Sequence, residues 1–323
     1  MRPWRRALRG LPIFTAVAAA GLLPAGLRAQ DMEPRAYSSA PIGTNFIAVG
    51  GGNTKGALLF DPALPIEDAQ ADLNLGLFGC ARTFALGGKQ GLVSGAVVYG
   101  RGELKGLVSG VERVSGRSGL TDLRARVSLN LTGPGALTPA EFAKAPHRTI
   151  LGVSLAIQAP TGQYDPDRLI NLGTNRWAFK PEIGVSVPAG RWFLDAYVGA
   201  IFFTDNDQFY PGDALREQDP LGTFQAHASY TFRSRAWVAI DATWYGGGDS
   251  TIDGGEPAGR QNNTRLGGTA SIPIARGQSI KIAASTGAWV QSGSDFNTGT
   301  VTWQLTWFDP SKRAGPPSAA GSP

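Results

Sequence analysis

The chain has 323 residues, is 42% hydrophobic and 17% charged, and carries 30 basic against 25 acidic side chains. Five arginines (Arg2, Arg5, Arg6, Arg9 and Arg28) fall within the first 29 residues, so the remainder is balanced and gives no ground for a nucleic-acid partner. The single cysteine, Cys80, excludes an internal disulfide. Beyond the N-terminal region no apolar run reaches about 18 residues, which excludes a bundle of spanning helices.

Met1 to Ala29 has a basic start, an apolar middle (Leu11 to Leu23) and a small residue at the exit, the pattern of a cleaved secretory leader. Residues 30–44 are polar and contain proline; they read as a periplasmic lead-in or as a segment tucked into the barrel mouth, too short for a separate plug domain. Asn45 to Phe60 reads as one strand bent at Gly50-Gly51-Gly52-Asn53, with Asp61 to Asp68 as the first outer loop. Asp72 to Phe84 alternates and ends at Gly87-Gly88, a tight turn. Gly91 to Arg101 and Ser118 to Leu131 follow as a pair. In the latter, Arg124 and Arg126 share one face. Facing lipid they would cost ~2–4 kcal/mol each near the midplane, so they are expected to line an interior. Thr138-Pro139-Ala140-Glu141 matches a capping box with proline at the first helical position and predicts one short helix in a periplasmic connector.

Ile150 to Val187 holds two alternating runs around a polar loop. Leu151, Val153, Leu155 and Ile157 share a parity in the first run. In the second, Trp177, Phe179, Ile183, Val185 and Val187 oppose Arg176, Lys180, Glu182 and Ser186. Each run approaches the ~9–11 residues needed to cross a bilayer as a tilted strand. Arg191 to Phe203, Gly222 to Phe232, Ala236 to Trp244, Asn263 to Ile272, Ser279 to Gln291 and Asp295 to Phe308 repeat the pattern.

The count is about twelve strands. Short connectors (87–90, 188–191, 233–235, 274–278) alternate with long ones (61–69, 102–117, 160–175, 204–217, 246–262), as periplasmic turns and outer loops do. Aromatic residues gather near strand ends: Trp177, Phe202 and Trp244 on one side, Trp192, Phe232 and Trp307 on the other. The fold expected is therefore all-β, an up-and-down transmembrane antiparallel barrel over residues 30–309, with a disordered tail at 310–323. Pro181 cannot donate to a ladder, which predicts a bulge or break there. Cys80, a free thiol in an oxidising compartment, is expected to be buried.

The stretch Gln158-Ala-Pro-Thr-Gly-Gln-Tyr-Asp-Pro-Asp-Arg-Leu-Ile-Asn-Leu-Gly-Thr-Asn-Arg-Trp-Ala-Phe-Lys-Pro-Glu-Ile-Gly184 resembles the "transporter" family associated with meta-pathway phenol degradation. Pro41-Ile-Gly-Thr-Asn-Phe46, Phe202-Phe-Thr-Asp-Asn-Asp207, Arg216-Glu-Gln-Asp-Pro220 and Gly293-Ser-Asp-Phe296 extend the likeness over nearly the whole chain after the leader. The resemblance implies an outer-membrane barrel that takes up aromatic or other hydrophobic compounds, with no catalytic residues and no cofactor. The chain departs from a usual barrel in running past Phe308, an aromatic end of the kind that the barrel assembly machinery recognises.

Inward parity collects Arg124, Arg126, Arg176, Lys180, Glu182, Arg191, Asp195, His227, Asp241, Arg265 and Lys281 as the expected lumen lining. They can serve as a ladder of paired charges, as a selectivity set, or as both. Phe193, Tyr197, Phe203, Trp237 and Tyr245 share the inward parity and are expected to supply an apolar pocket. His227 and Ser229 invite comparison with a barrel lipid hydrolase, but lumenal parity favours hydrogen bonding over catalysis. Asp165-Pro166-Asp167 and Asp205-Asn206-Asp207 lack the glycine and terminal glutamate of a calcium loop, and Gly50-Gly51-Gly52-Asn53-Thr54-Lys55 lacks the helix of a phosphate cradle. The expected role is a channel for small hydrophobic or aromatic permeants; the alternative is a structural or surface-interaction barrel. Expected partners are outer-membrane lipids, lipopolysaccharide, the permeant and the assembly machinery.

Overall fold

The computed structural model describes residues 32–57, 66–108, 110–168, 170–291 and 295–309. The expected leader (1–29), the tail (310–323) and most of the first outer loop lie outside the described residues.

The first part of the chain forms β1 (Thr44–Ala57), β2 (Ile66–Leu86), β3 (Lys89–Val108), β4 (Val111–Leu120), β5 (Leu123–Asn130) and the helix α1 (Pro139–Phe142). Next come β6 (Ile150–Ala159), β7 (Ala178–Ala189), β8 (Trp192–Phe203), β9 (Asn206–Phe209) and β10 (Ala214–Gln218). The last are β11 (Leu221–Thr231), β12 (Trp237–Gly247), β13 (Ser250–Ile252), β14 (Gln261–Ala275), β15 (Gln278–Val290) and β16 (Asp295–Phe308).

Thirteen of these strands form one antiparallel sheet that closes on itself: β2 pairs with β3 as well as β1, and β1 pairs with β16 from Thr44↔Phe308 to Ala57↔Asp295. The short strands β4 and β5 lie end to end along β3, against Tyr99–Val108 and Gly91–Ala96 respectively. Together they make one stave, so the barrel has twelve, as the sequence pattern predicts. The stave is interrupted at Thr121-Asp122, where the Thr121 amide still donates to the Val98 carbonyl at 2.8 Å.

Turn chemistry sets the short end. Gly87 and Gly88 have φ of +56° and +74°, the left-handed pair that a two-residue hairpin needs and that side chains disfavour. At α1, Thr138 and Glu141 exchange the hydrogen bonds of a capping box.

The long end departs from expectation. Residues 102–117 are not a loop: β3 and β4 continue as a projecting hairpin, paired from Tyr99↔Leu120 to Val108↔Val111. Within 204–217 and 246–262, β9, β10 and β13 form a separate three-stranded sheet. Arg216 stitches it, donating to Ser250 Oγ at 3.1 Å and stacking on Phe209. Pro181 breaks the β7–β8 ladder without shifting its register: pairing stops at Phe179↔Phe202 and resumes at Glu182↔Gly199. The β6 side remains paired through Leu155↔Pro181.

The alternating pattern points apolar side chains outward. Val198, Ile240 and Val301 are more than half exposed, at 54%, 73% and 53%. A surface this apolar is unfavourable in water and is the lipid-facing band of a membrane barrel. Trp177, Phe202 and Trp244 are exposed near the long end, and Trp192, Phe232 and Trp307 near the short end, as two interfacial girdles.

One sector inverts the rule. On β2, Leu73, Leu77 and Ala81 are buried, whereas Asn74, Phe78 and Cys80 point out. With Phe46, Ala48, Leu92, Ala96 and Val98 these inward residues form an apolar inner wall over β1–β3. Cys80 is consequently exposed, not buried as expected. Its parity puts it on the lipid side, where a small apolar thiol is well solvated.

Candidate functional site: a filled lumen

Of the two expectations for residues 32–43, the tucked segment and not the external lead-in describes them. They run inside the barrel from the short end to mid-height, and Met32, Tyr37 and Ala40 are each at most 6% exposed. The segment is held by polar side chains from many staves. Arg126 pairs with Glu33 and, at 3.1 Å, with Glu182. The Glu33 amide donates to Gln225 Oε1 (3.3 Å), the Arg35 amide to Asp195 Oδ2 (3.2 Å) and the Ala36 amide to the Tyr197 hydroxyl (3.1 Å). Arg35 donates through Nε to Ser229 Oγ at 2.8 Å and through Nη2 to Thr231 Oγ1 at 2.6 Å. Its guanidinium sits 4.7 Å from the ring centres of both Phe193 and Trp237. A short irregular segment has many backbone groups to satisfy, and here the barrel wall satisfies them.

Tyr37 is the segment's anchor. Its hydroxyl lies 2.9 Å from Ser154 Oγ and donates to Glu182 Oε1 at 3.1 Å. The ring occupies a recess made by Gly152 and Gly184, which face each other across β6 and β7. A Cβ at either position would come within 2.2 or 2.3 Å of the ring. These glycines interrupt the inward row of polar residues, and their spacing was the available signal for an inserted ring.

The predicted lining residues divide into several groups. Arg126, Lys180, Glu182 and Asp195 gather about the inserted segment, with Lys180 2.8 Å from Glu182. His227 Nδ1 lies 2.8 Å from Asp241 Oδ1, and Thr269 donates to Asp241 Oδ2 at 2.7 Å. Ser229 receives its hydrogen bond from Arg35. Lys281 and Arg265 are buried on β15 and β14. Arg176, near the long end, donates to Gln218 and stacks 4.4 Å from the Phe203 ring centre. Arg124 is half-buried. Arg191 is a correction: it lies exposed in the β7–β8 turn, beyond the strand that would have turned it inward.

The expected aromatic pocket is also corrected. Phe193 and Trp237 stack on Arg35, Phe203 stacks on Arg176, and Tyr197 packs edge to face on Tyr37 and accepts from the Ala36 amide. Among the described residues, a cavity of about 780 Å³ with its mouth included lies above Met32. Leu73, Leu75 and Leu172 line one side; Asp241, Arg265 and Thr269 line the other. Leu172 reaches the lumen because Asp122 pulls the 160–177 loop inward, accepting from the amides of Gly162 (2.9 Å) and Thr174 (3.0 Å). That loop therefore roofs the cavity instead of standing clear of the barrel.

A closed antiparallel ring with an apolar outer band and a polar, occupied interior defines an outer-membrane β-barrel. The family described as "Putative MetA-pathway of phenol degradation" matches residues 49–310, and the chain belongs to it. Among solved structures, the COG4313 outer membrane channel from Pseudomonas putida F1 is similar with a TM-score of 0.68 and 22% identity, covering 85% of this chain and 99% of that one. The transport unit of the autotransporter AIDA-I from Escherichia coli is similar with a TM-score of 0.50 and 11% identity, covering 90% and 95%. No curated protein matches the sequence.

Proposed function

We propose that the protein is an outer-membrane channel for small hydrophobic or aromatic molecules, held closed by its own N-terminal segment. The observation that carries this reading is the two-sided lumen. An apolar wall over β1–β3 faces a polar wall, and the space between is filled by a segment held only by noncovalent contacts. The similar structure from Pseudomonas putida F1 bears the name of a channel, which supports the same reading.

The predicted lining residues then have two roles. Arg126, Glu182 and Asp195 hold the segment, while Arg176, Arg265 and Asp241 face the route above it. Export through a leader removed after Ala29 frees the chain start to thread the barrel. The long loops face outward, toward lipopolysaccharide. The short turns and α1 face the periplasm, and Phe308 marks the end of the barrel for the assembly machinery.

Planar-bilayer recording tests the proposal. The native protein is expected to give small or intermittent conductance, and removal of residues 32–40 a large, steady one. No conductance from either folded protein would overturn the channel and favour a structural or surface-interaction barrel.

A further inference from the structure

The cavity above Met32 has a specific chemical bias. Arg265 is 1% exposed. Its Nη2 donates to Ser285 Oγ at 3.0 Å and to the Phe296 carbonyl at 2.9 Å, and its guanidinium lies 4.1 Å from the Phe296 ring centre. Nε and Nη1 have no hydrogen-bond partner among the described residues. A buried cation with unpaired donors is costly, and a cavity that borders it is where an acceptor can enter.

The other charge on the lining does not fill this need. Asp241 has one oxygen engaged by His227 and the other by Thr269. Asp295 is near enough to Arg265 to act electrostatically but sits exposed at the start of β16. The facing surface is apolar: Leu73 and Leu172 are 5% and 7% exposed, and Met32 forms the floor. Small-molecule sites are usually of this kind, apolar with a few placed polar groups.

We propose that this cavity binds small aromatic acids, the ring packed between Leu73, Leu75, Leu172 and Met32 and the anionic oxygen accepting from Arg265. The proposal rests on the channel reading and deepens it: the molecules that pass are held here first. An aromatic ring alone would satisfy the apolar wall and leave the guanidinium donors unpaired. An acid satisfies both.

The test uses the folded full-length barrel in detergent, with benzoate and toluene as probes in saturation-transfer NMR and equilibrium dialysis. Benzoate is expected to bind the native protein. Arg265→Met should weaken benzoate roughly 10- to 100-fold, as expected for losing a hydrogen bond to a charged group, while toluene binding is retained. Because Arg265→Met could impair folding, a second variant, Leu172→Trp, alters only the roof loop and should exclude both probes. A native barrel that binds no benzoate, or an Arg265→Met barrel that folds and binds it equally well, overturns the proposal. Bilayer conductance separates the two readings. Conductance without benzoate binding removes the site and leaves the channel; binding without conductance does the reverse.

Discussion

Replacing Arg126 by methionine takes a guanidinium from between Glu33 and Glu182 while keeping most of the side chain's length. Glu182 retains Lys180 at 2.8 Å, so the carboxylate that loses its direct ion pair is Glu33, on the inserted segment, with Lys281 as a remaining nearby cation. Removing one partner of a buried ion pair typically costs ~3–5 kcal/mol. Arg126 and Glu33 are 13% and 12% exposed, which allows some rehydration and favours the lower figure, about 3 kcal/mol. At ~1.4 kcal/mol per tenfold, release of the segment should become roughly 100-fold more frequent.

The amides of Glu33, Arg35 and Ala36 report this directly, because each donates to a wall side chain. Their hydrogen–deuterium exchange should accelerate by about that factor, while amides of the β11–β12 ladder remain protected. Adding Glu33→Gln to Arg126→Met removes the carboxylate that has lost its ion pair and should recover part of the protection. Unchanged exchange in Arg126→Met, with the barrel folded, would refute the idea that this ion pair holds the segment.

Three further outcomes follow from the geometry. Gly152→Val would put a side chain where the Tyr37 ring sits; overpacking of this sort costs ~1–3 kcal/mol and should raise bilayer conductance without dissolving the barrel. Cys80, exposed on the outward face of β2, should react in proteoliposomes with an apolar maleimide and resist a charged one; equal labelling would show that it faces water. At the barrel seam, hydrogen bonds from Asn45 and then Arg82 hold the Asp309 carboxyl below its usual range. A depressed carboxylate contributes stability above its unfolded pKa of ~3.9 and loses it as pH falls through the folded value. The melting-temperature difference between the native protein and Asp309→Asn should therefore be present at pH 6 and shrink toward pH 2.

Strand alternation, turn composition and the cost of arginine in lipid were sufficient to specify the barrel from the chain alone. Each is local: parity assigns a face to Val198 or Asp241 whatever the neighbouring strand is, and Gly87-Gly88 demands a tight turn wherever it occurs. The capping box at Thr138 is local in the same way. Where local signals had a competitor, they failed. Leu73 and Leu77 were apolar enough to face lipid, yet they face inward against Phe46 and Leu92. Residues 102–117 were rich in glycine and charge, yet pairing between β3 and β4 extends them as strands.

The contents of the lumen were beyond any local pattern. Tyr37 meets Gly152 and Gly184, and Arg35 meets Ser229 and Trp237, across separations of more than a hundred residues. Their placement depends on the curvature that closes β1 onto β16. Until the ring is closed, a polar N-terminal stretch has no interior to enter. The sequence by itself determined that there would be a barrel with charged side chains inside. The tertiary structure decided that those charges hold a segment of the same chain, and set Arg265 on the wall of a cavity above it.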